Sequence, residues 1–267
     1  MNGIKLKRPE SNGIQVKKKF GQHFLREVSV VEHMIEQVKL TPDSSVFEIG
    51  CGDGVLTQEI LKNNPGRLWV FEIDPEWATF VKNKLPDKRL TIFTEDILTV
   101  DFSRFNEHKP WILLANLPYQ ITFPLLHLFQ QQRHLLQEGV IMIQEEVAQK
   151  LVKKEGRGYG YSSLFFQYYF EWKLMEKVPP TAFFPPPKIY SRLLYFKPNT
   201  NLVPIPDEVN FWKFIKLVFH QPRRTIRNNL LQSHYDLVKI ADELLLLRAQ
   251  QLTMKDLLAI WDTIRVS

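Results

Sequence analysis

Short apolar runs alternating with segments of helical period constrain this chain more than any other feature. The runs fall at 45–49, 67–73, 90–93, 111–115 and 139–143. Between them, Leu56, Ile60 and Leu61 have helical spacing, Pro75 opens a segment carrying Trp77, Phe80 and Val81, and 123–131 reads as a helix. A strand that is apolar throughout is buried on both faces, and the alternating helices supply the cover. The pattern predicts βαβ units and a parallel, doubly wound α/β sheet. Two later runs, 164–170 and 193–196, read as strands with no helix between them, so the far edge of the sheet is expected to be antiparallel.

Pro198, Pro204 and Pro206 punctuate 197–206, which marks a domain boundary. Beyond it Phe211, Phe214, Ile215 and Val218 share a helical face, and 226–231, 237–247 and 254–264 continue in helical period. The expected organisation is a basic tail over 1–19, the α/β domain over 20–200 and a small all-helical domain over 201–267. Hydrophobic residues make up 44 % of the chain, enough for a large core. No apolar run approaches the roughly 18–20 residues that a membrane helix needs. The first residues lack the apolar stretch of a secretory leader. Cys51 is the only cysteine, so an internal disulfide is excluded and a cytoplasmic location is expected. The histidines lack cysteine or carboxylate neighbours at ligand spacing, which speaks against a bound metal.

The net charge of +6 is concentrated rather than spread. Lys5, Lys7, Arg8, Lys17, Lys18 and Lys19 stand against Glu10 alone, and Lys213, Lys216, Arg223, Arg224 and Arg227 occupy a stretch without an acid. Clusters of this kind favour a polyanion through phosphate neutralisation and counterion release, although a plain solvated segment is an equal reading for the tail.

Phe47-Glu48-Ile49-Gly50-Cys51-Gly52-Asp53-Gly54 joins the first strand to a helix. Its glycines permit left-handed turns and a close backbone approach to a ligand. In open α/β sheets this position is where ligands bind. A pyrophosphate turn would read G-x-G-x-x-G, but position 55 is Val and Glu48 would repel an anion. S-adenosylmethionine (SAM), a nucleoside without phosphate, suits the loop better. Glu72, at the end of the second strand, is placed to accept both ribose hydroxyls. Asp96 closes the third strand and is placed to accept from the adenine amine of the cofactor. Each acid alone is ordinary; in register with the loop, they outline one pocket.

Asn116-Leu117-Pro118-Tyr119 ends the fourth strand. The exocyclic amine of adenine is a poor nucleophile because its lone pair is delocalised into the ring. Hydrogen bonds from that amine to the Asn116 side-chain oxygen and the Leu117 carbonyl would draw the lone pair out of conjugation. It could then attack a sulfonium methyl in line. Pro118 fixes the turn without a competing N–H, and Tyr119 offers a stacking face to an extruded base. Most of the rate gain would come from positioning.

Together these motifs resemble the small-subunit ribosomal RNA adenine dimethyltransferases (KsgA type), from about Lys18 to the C-terminus. Gly21-Gln22-His23-Phe24-Leu25 is similar to the family's N-terminal motif, which lies against the cofactor. Glu48-Ile49-Gly50, Glu72 and Asp96 fall on its SAM-contacting positions, and Asn116-Leu117-Pro118-Tyr119 on its target-base motif. In Ala182-Phe183-Phe184-Pro185-Pro186-Pro187-Lys188-Ile189-Tyr190-Ser191 the resemblance implies that Phe183 faces the target adenine. Gly158-Tyr159-Gly160-Tyr161-Ser162-Ser163-Leu164 and Arg223-Arg224-Thr225-Ile226-Arg227-Asn228-Asn229-Leu230 also match. His23 stands where Asn is commoner, Cys51 replaces the usual Pro, and Tyr190 takes the place of a frequent acid.

The resemblance implies a Rossmann-like SAM-methyltransferase fold with SAM as methyl donor and no metal. It implies cofactor contacts at His23, Leu25, Gly50, Glu72, Asp96 and Asn116, and catalysis at Asn116, Leu117, Pro118, Tyr119 and Phe183. RNA contacts are implied at Arg223, Arg224 and Arg227. The implied reaction is two methyl transfers to each of two adjacent adenines near the 3′ end of 16S rRNA. Its substrate is an immature small ribosomal subunit, and the enzyme is a monomer with a role in small-subunit biogenesis.

Three other readings compete with this one. A resistance-type methylase of large-subunit rRNA would share the α/β domain, but 223–230 argues for the small-subunit branch. A DNA adenine methyltransferase would usually carry Pro directly after the Asn, and the helical domain does not fit it. For a non-catalytic ribosome assembly factor, nothing in the sequence excludes particle binding as an equally important role, while the intact pocket argues that catalysis is retained.

Overall fold

The computed structural model describes residues 13–17 and 20–265. Most of the basic tail expected over 1–19 therefore lies outside the described residues. The chain divides into two compact units, Met1–Ala148 with Glu171–Pro198 and Gln149–Phe170 with Asn199–Ser267. The helical unit thus takes in 149–170, a stretch inside the expected 20–200 domain.

The chain opens with β1 (Phe24–Leu25), α1 (Val28–Glu36), β2 (Ser45–Ile49), α2 (Val55–Lys62), β3 (Arg67–Phe71), α3 (Pro75–Lys84) and β4 (Leu90–Phe93). Next come β5 (Trp111–Asn116), α4 (Thr122–Gln131), β6 (Leu136–Gln144), α5 (Glu145–Val152), α6 (Tyr161–Tyr169), β7 (Phe170–Val178), β8 (Phe183–Phe184) and β9 (Ser191–Pro198). The remaining helices are α7 (Glu208–Val218), α8 (Ile226–Leu230), α9 (Asp242–Leu246) and α10 (Met254–Ile264).

In the first unit a seven-stranded sheet has the order β4-β3-β2-β5-β6-β9-β7. β2 pairs in parallel with β3 and β5, β3 with β4, and β5 with β6. β9 runs antiparallel to β6, with Gly139 opposite Phe196 and Gln144 opposite Ser191, so the expected antiparallel edge is present. Val46, Leu68, Leu113 and Ile141 are fully buried, as strands covered on both faces require. Asp74 caps α3 by accepting from Glu76 N at 3.2 Å, with Pro75 at the first helical position.

The run at 164–170, expected as a strand, is instead the body of α6, and the strand begins only at Phe170. Ser163, Leu164, Phe165, Phe166 and Tyr169 are all buried. A short run buried all round carries no period that separates helix from strand. The stretch 237–247, expected as one helix, is a 3-10 turn at Leu237–Lys239 followed by α9. In the helical unit, Trp212 Nε1 donates to the Tyr169 hydroxyl at 2.9 Å and Trp261 Nε1 to the Pro206 carbonyl at 2.7 Å. Phe211, Phe214, Ile215 and Val218 are buried on α7, on the face the sequence marks as apolar.

Candidate active site

The carboxyl ends of four parallel strands meet at one cavity. Gly50, Cys51, Gly52 and Asp53 follow β2, Glu72 follows β3, Asp96 lies beyond β4 and Asn116 closes β5; all line it. His23, Leu25, Leu117, Pro118 and Tyr119 line it too. The residues assigned from the sequence to the cofactor and the target base thus share one space, with one exception. Phe183 pairs with Leu25 in the β1–β8 ladder, is 3 % exposed, and belongs to the hydrophobic core rather than to the cavity lining.

The glycine loop turns through left-handed backbone, with φ of 75° at Gly50, 52° at Gly52 and 86° at Gly54. Gly50 N donates to the Phe71 carbonyl at 2.8 Å, which ties the loop to β3. The Glu72 carboxylate accepts from Gly52 N at 3.2 Å with one oxygen and from Asp74 N at 2.9 Å with the other. Burial raises its pKa, against the pull of these two backbone donors.

Glu48, fully buried, accepts from Thr57 Oγ1 at 2.7 Å, and its Oε1 has no partner. Burial pushes its pKa up to about 8 despite the Thr57 bond, and Glu72 and Asp53 act in the same raising direction. At neutral pH this side chain is therefore mostly a carboxylic acid. Glu72 and Asp96 also contribute carboxyl groups to the lining, which suits a cationic ligand.

Hydrogen bonds join three separated segments around His23, Asn116 and Tyr119. Asn116 Nδ2 donates to the His23 carbonyl at 3.0 Å, which fixes the carboxamide and leaves Oδ1 as its acceptor. His23 Nδ1 donates to the Pro185 carbonyl at 2.7 Å. A carbonyl only accepts, so that nitrogen carries the hydrogen. The Tyr119 hydroxyl shares a 2.5 Å hydrogen bond with Ser191 Oγ, and its ring stacks on His23 with centroids 5.9 Å apart and planes at 29°. Burial raises the Tyr119 pKa. Leu117 N donates to the Met142 carbonyl at 3.0 Å, anchoring the turn to β6.

Sequence reasoning missed two groups here. Arg26 and Asp53 form a buried ion pair, and Arg26 N donates to the Ala182 carbonyl at 2.7 Å. Arg26 directly follows Leu25, and a charge beside a motif is a weak signal. Ser191 lies in a motif already singled out, but nothing in its spacing announces the bond to Tyr119. Arg223 and Arg224 lie exposed before α8 in the helical unit. Arg227, on α8, is bonded to Asp242 Oδ1 at 2.5 Å. Among the described residues no group of His, Cys, Asp and Glu is arranged to hold a metal ion.

A family model described as "Ribosomal RNA adenine dimethylase" matches residues 13–261. The chain belongs to the ribosomal RNA adenine dimethylase family. A "Ribosomal RNA small subunit methyltransferase A" of Chlorobium phaeobacteroides is 35 % identical to it, covering 94 % of this chain and 92 % of that one. A dimethyladenosine transferase from Plasmodium falciparum has the same fold, with a TM-score of 0.78 at 19 % identity over 90 % of this chain and 98 % of that one. The 23S rRNA methyltransferase ErmE is also similar, with a TM-score of 0.66 at 24 % identity over 81 % of this chain and 86 % of that one. At these identities the two structures speak to fold. The doubly wound, Rossmann-like methyltransferase sheet with a small helical C-terminal part, expected from the sequence, is the fold observed.

Proposed function

We propose that this family member transfers methyl groups from SAM to the exocyclic amines of two adjacent adenines near the 3′ end of small-subunit (16S) rRNA, two to each base. The observation that carries the reading is that Asn116-Leu117-Pro118-Tyr119, the glycine loop, Glu72 and Asp96 line one cavity. SAM supplies an electrophilic methyl on a sulfonium. The acids of the lining favour that cation, and Gly50, Glu72 and Asp96, with His23 and Leu25, hold the nucleoside. Asn116 Oδ1 and the Leu117 carbonyl accept from the target amine and turn its lone pair toward the methyl. The His23 carbonyl sets this orientation by taking the Asn116 Nδ2 hydrogen. Pro118 keeps the turn closed, and Tyr119, tethered by Ser191, stacks on the base. Phe183 backs Leu25 and thereby the wall of the site. After each transfer the nitrogen is acidic and loses its extra proton to water.

The names of the curated relatives favour the small subunit as substrate. We place the enzyme in the cytoplasm as a monomer, acting without a metal on immature particles during small-subunit biogenesis, with Arg223, Arg224 and Arg227 on rRNA phosphates. The test is uptake of labelled methyl from SAM by purified undermethylated small subunits and by large subunits. Uptake by small subunits alone is expected, and Asn116→Ala should lower it about 10²–10³-fold. Uptake by large subunits alone would overturn the reading, as would binding of particles with no transfer at all.

A further inference from the structure

The helical unit carries a cavity of its own, open and about 590 Å³ in volume. Lys213 and Lys216 of α7, His220 beyond its end, His234 and Tyr235 after α8, and Arg265 after α10 line it. Lys213 and Lys216 follow Asn210 at helical spacing, so these three side chains form one ridge. Asp207 is the single acid among the lining residues. The cations are exposed but oriented: Lys213 Nζ donates to Asn210 Oδ1 at 3.0 Å, Lys216 Nζ lies 5.1 Å from the Tyr161 ring centroid, and Arg265 Nε donates to Asp262 at 2.9 Å. Each keeps further N–H donors.

Beside them the His234 and Tyr235 rings lie 4.2 Å apart at 40°. Tyr235 is set edge-on against Phe214 at 5.7 Å and Trp261 at 6.1 Å, whereas His234 is exposed. The pair is thus anchored in the core at one ring and open to a ligand at the other. Arg223, Arg224 and Arg227 are not among the lining residues.

Cations alone bind any polyanion through counterion release. Cations beside an open aromatic ring suit a single strand, whose bases are free to stack. A duplex keeps its bases inside and offers mainly backbone. We infer that this cavity is a second RNA subsite, which holds a single-stranded segment with phosphates on Lys213, Lys216 and Arg265 and a base on the His234–Tyr235 pair. The inference takes from the proposed function only that the partner is RNA.

The test uses the full chain without cofactor, titrated with labelled single-stranded RNA and with inorganic polyphosphate between about 50 and about 200 mM salt. Lys213→Ala with Lys216→Ala should weaken RNA binding about tenfold and flatten the logarithmic salt slope by about 1.4, two phosphates at about 0.7 each. Arginine at both positions should retain the binding. His234→Ala should weaken RNA binding about fivefold or more and leave polyphosphate binding unchanged. RNA affinity and slope unchanged in the double alanine variant would overturn the inference, as would His234→Ala affecting RNA and polyphosphate alike. Methyl transfer to small subunits is scored apart. Its failure with the titrations as expected removes the assigned reaction and leaves the subsite standing; intact transfer with unaltered titrations removes the subsite alone.

Discussion

Alanine at Gly52 is expected to be markedly worse than alanine at Gly50, although both glycines are left-handed members of one loop. With φ of 52° and 75°, each alanine carries a left-handed penalty of about 1–2 kcal/mol. At Gly50 a Cβ meets nothing within 4 Å, and the cost stops there. At Gly52 it would lie 2.7 Å from Phe24 Cδ1 and 2.9 Å from Cε1, well inside carbon contact distance. Phe24 has little room to retreat. It is 5 % exposed, its ring sits 4.8 Å from that of Trp77, and its backbone is paired with Phe184. Overpacking of this kind costs about 1–3 kcal/mol. Gly52→Ala should therefore destabilise by about 2–5 kcal/mol, against about 1–2 kcal/mol for Gly50→Ala. Phe24 itself lines the cavity between His23 and Leu25, so SAM affinity should fall further in Gly52→Ala as well. Urea unfolding measures the first difference and calorimetric titration with SAM the second. Equal destabilisation by the two alanines would refute the seating of Phe24 on the loop.

The raised pKa of Glu48 makes stability depend on pH. Its ordinary value of 4.5 applies to the unfolded chain and about 8 to the folded one, so the native state holds the extra proton between them. The stability due to the neutral carboxyl is full below pH 4.5 and lost as pH rises through about 8. Urea midpoints should show the wild type losing stability on the order of a few kcal/mol against Glu48→Gln across that window; parallel pH curves would contradict the assignment. Tyr119→Ala removes a stacking face worth about 1–3 kcal/mol and should raise the KM for small subunits. Tyr119→Phe loses only the bond to Ser191, about 1 kcal/mol, and identical kinetics for the two variants would remove the stacking role. Alanine at Arg223 and Arg224 should weaken particle binding and flatten its salt slope. Arg227→Ala should do so less, because Asp242 already engages that guanidinium, and a filter-binding series with equal effects at all three would count against the patch.

The parallel strands were legible because strands covered by helices on both faces are predominantly apolar. Ser45–Ile49 and Leu90–Phe93 are found with the bounds their apolar runs indicate. Tyr161–Tyr169 was not legible, because a helix buried on several sides loses the polar face that reveals its period. The cavity residues were legible in part because strand ends in such a sheet converge by topology, which brings Gly50, Glu72, Asp96 and Asn116 together without further information. What joins distant segments was not. The bond from Asn116 to His23, the one from Tyr119 to Ser191 and the buried Arg26–Asp53 pair depend on side-chain directions that no spacing encodes. Phe183 shows the same limit: its motif was recognisable, but its burial against Leu25 follows from the pairing of two two-residue strands.

The most direct measurement of the central claim is mass-spectrometric mapping of modified bases in rRNA from undermethylated small subunits, treated with SAM and either wild type or Asn116→Ala. The account predicts N6,N6-dimethyladenine at two adjacent positions near the 3′ end with wild type and unmodified adenine with the variant. Methyl groups on another base or on ring nitrogens, or the same dimethylation by Asn116→Ala, would contradict it.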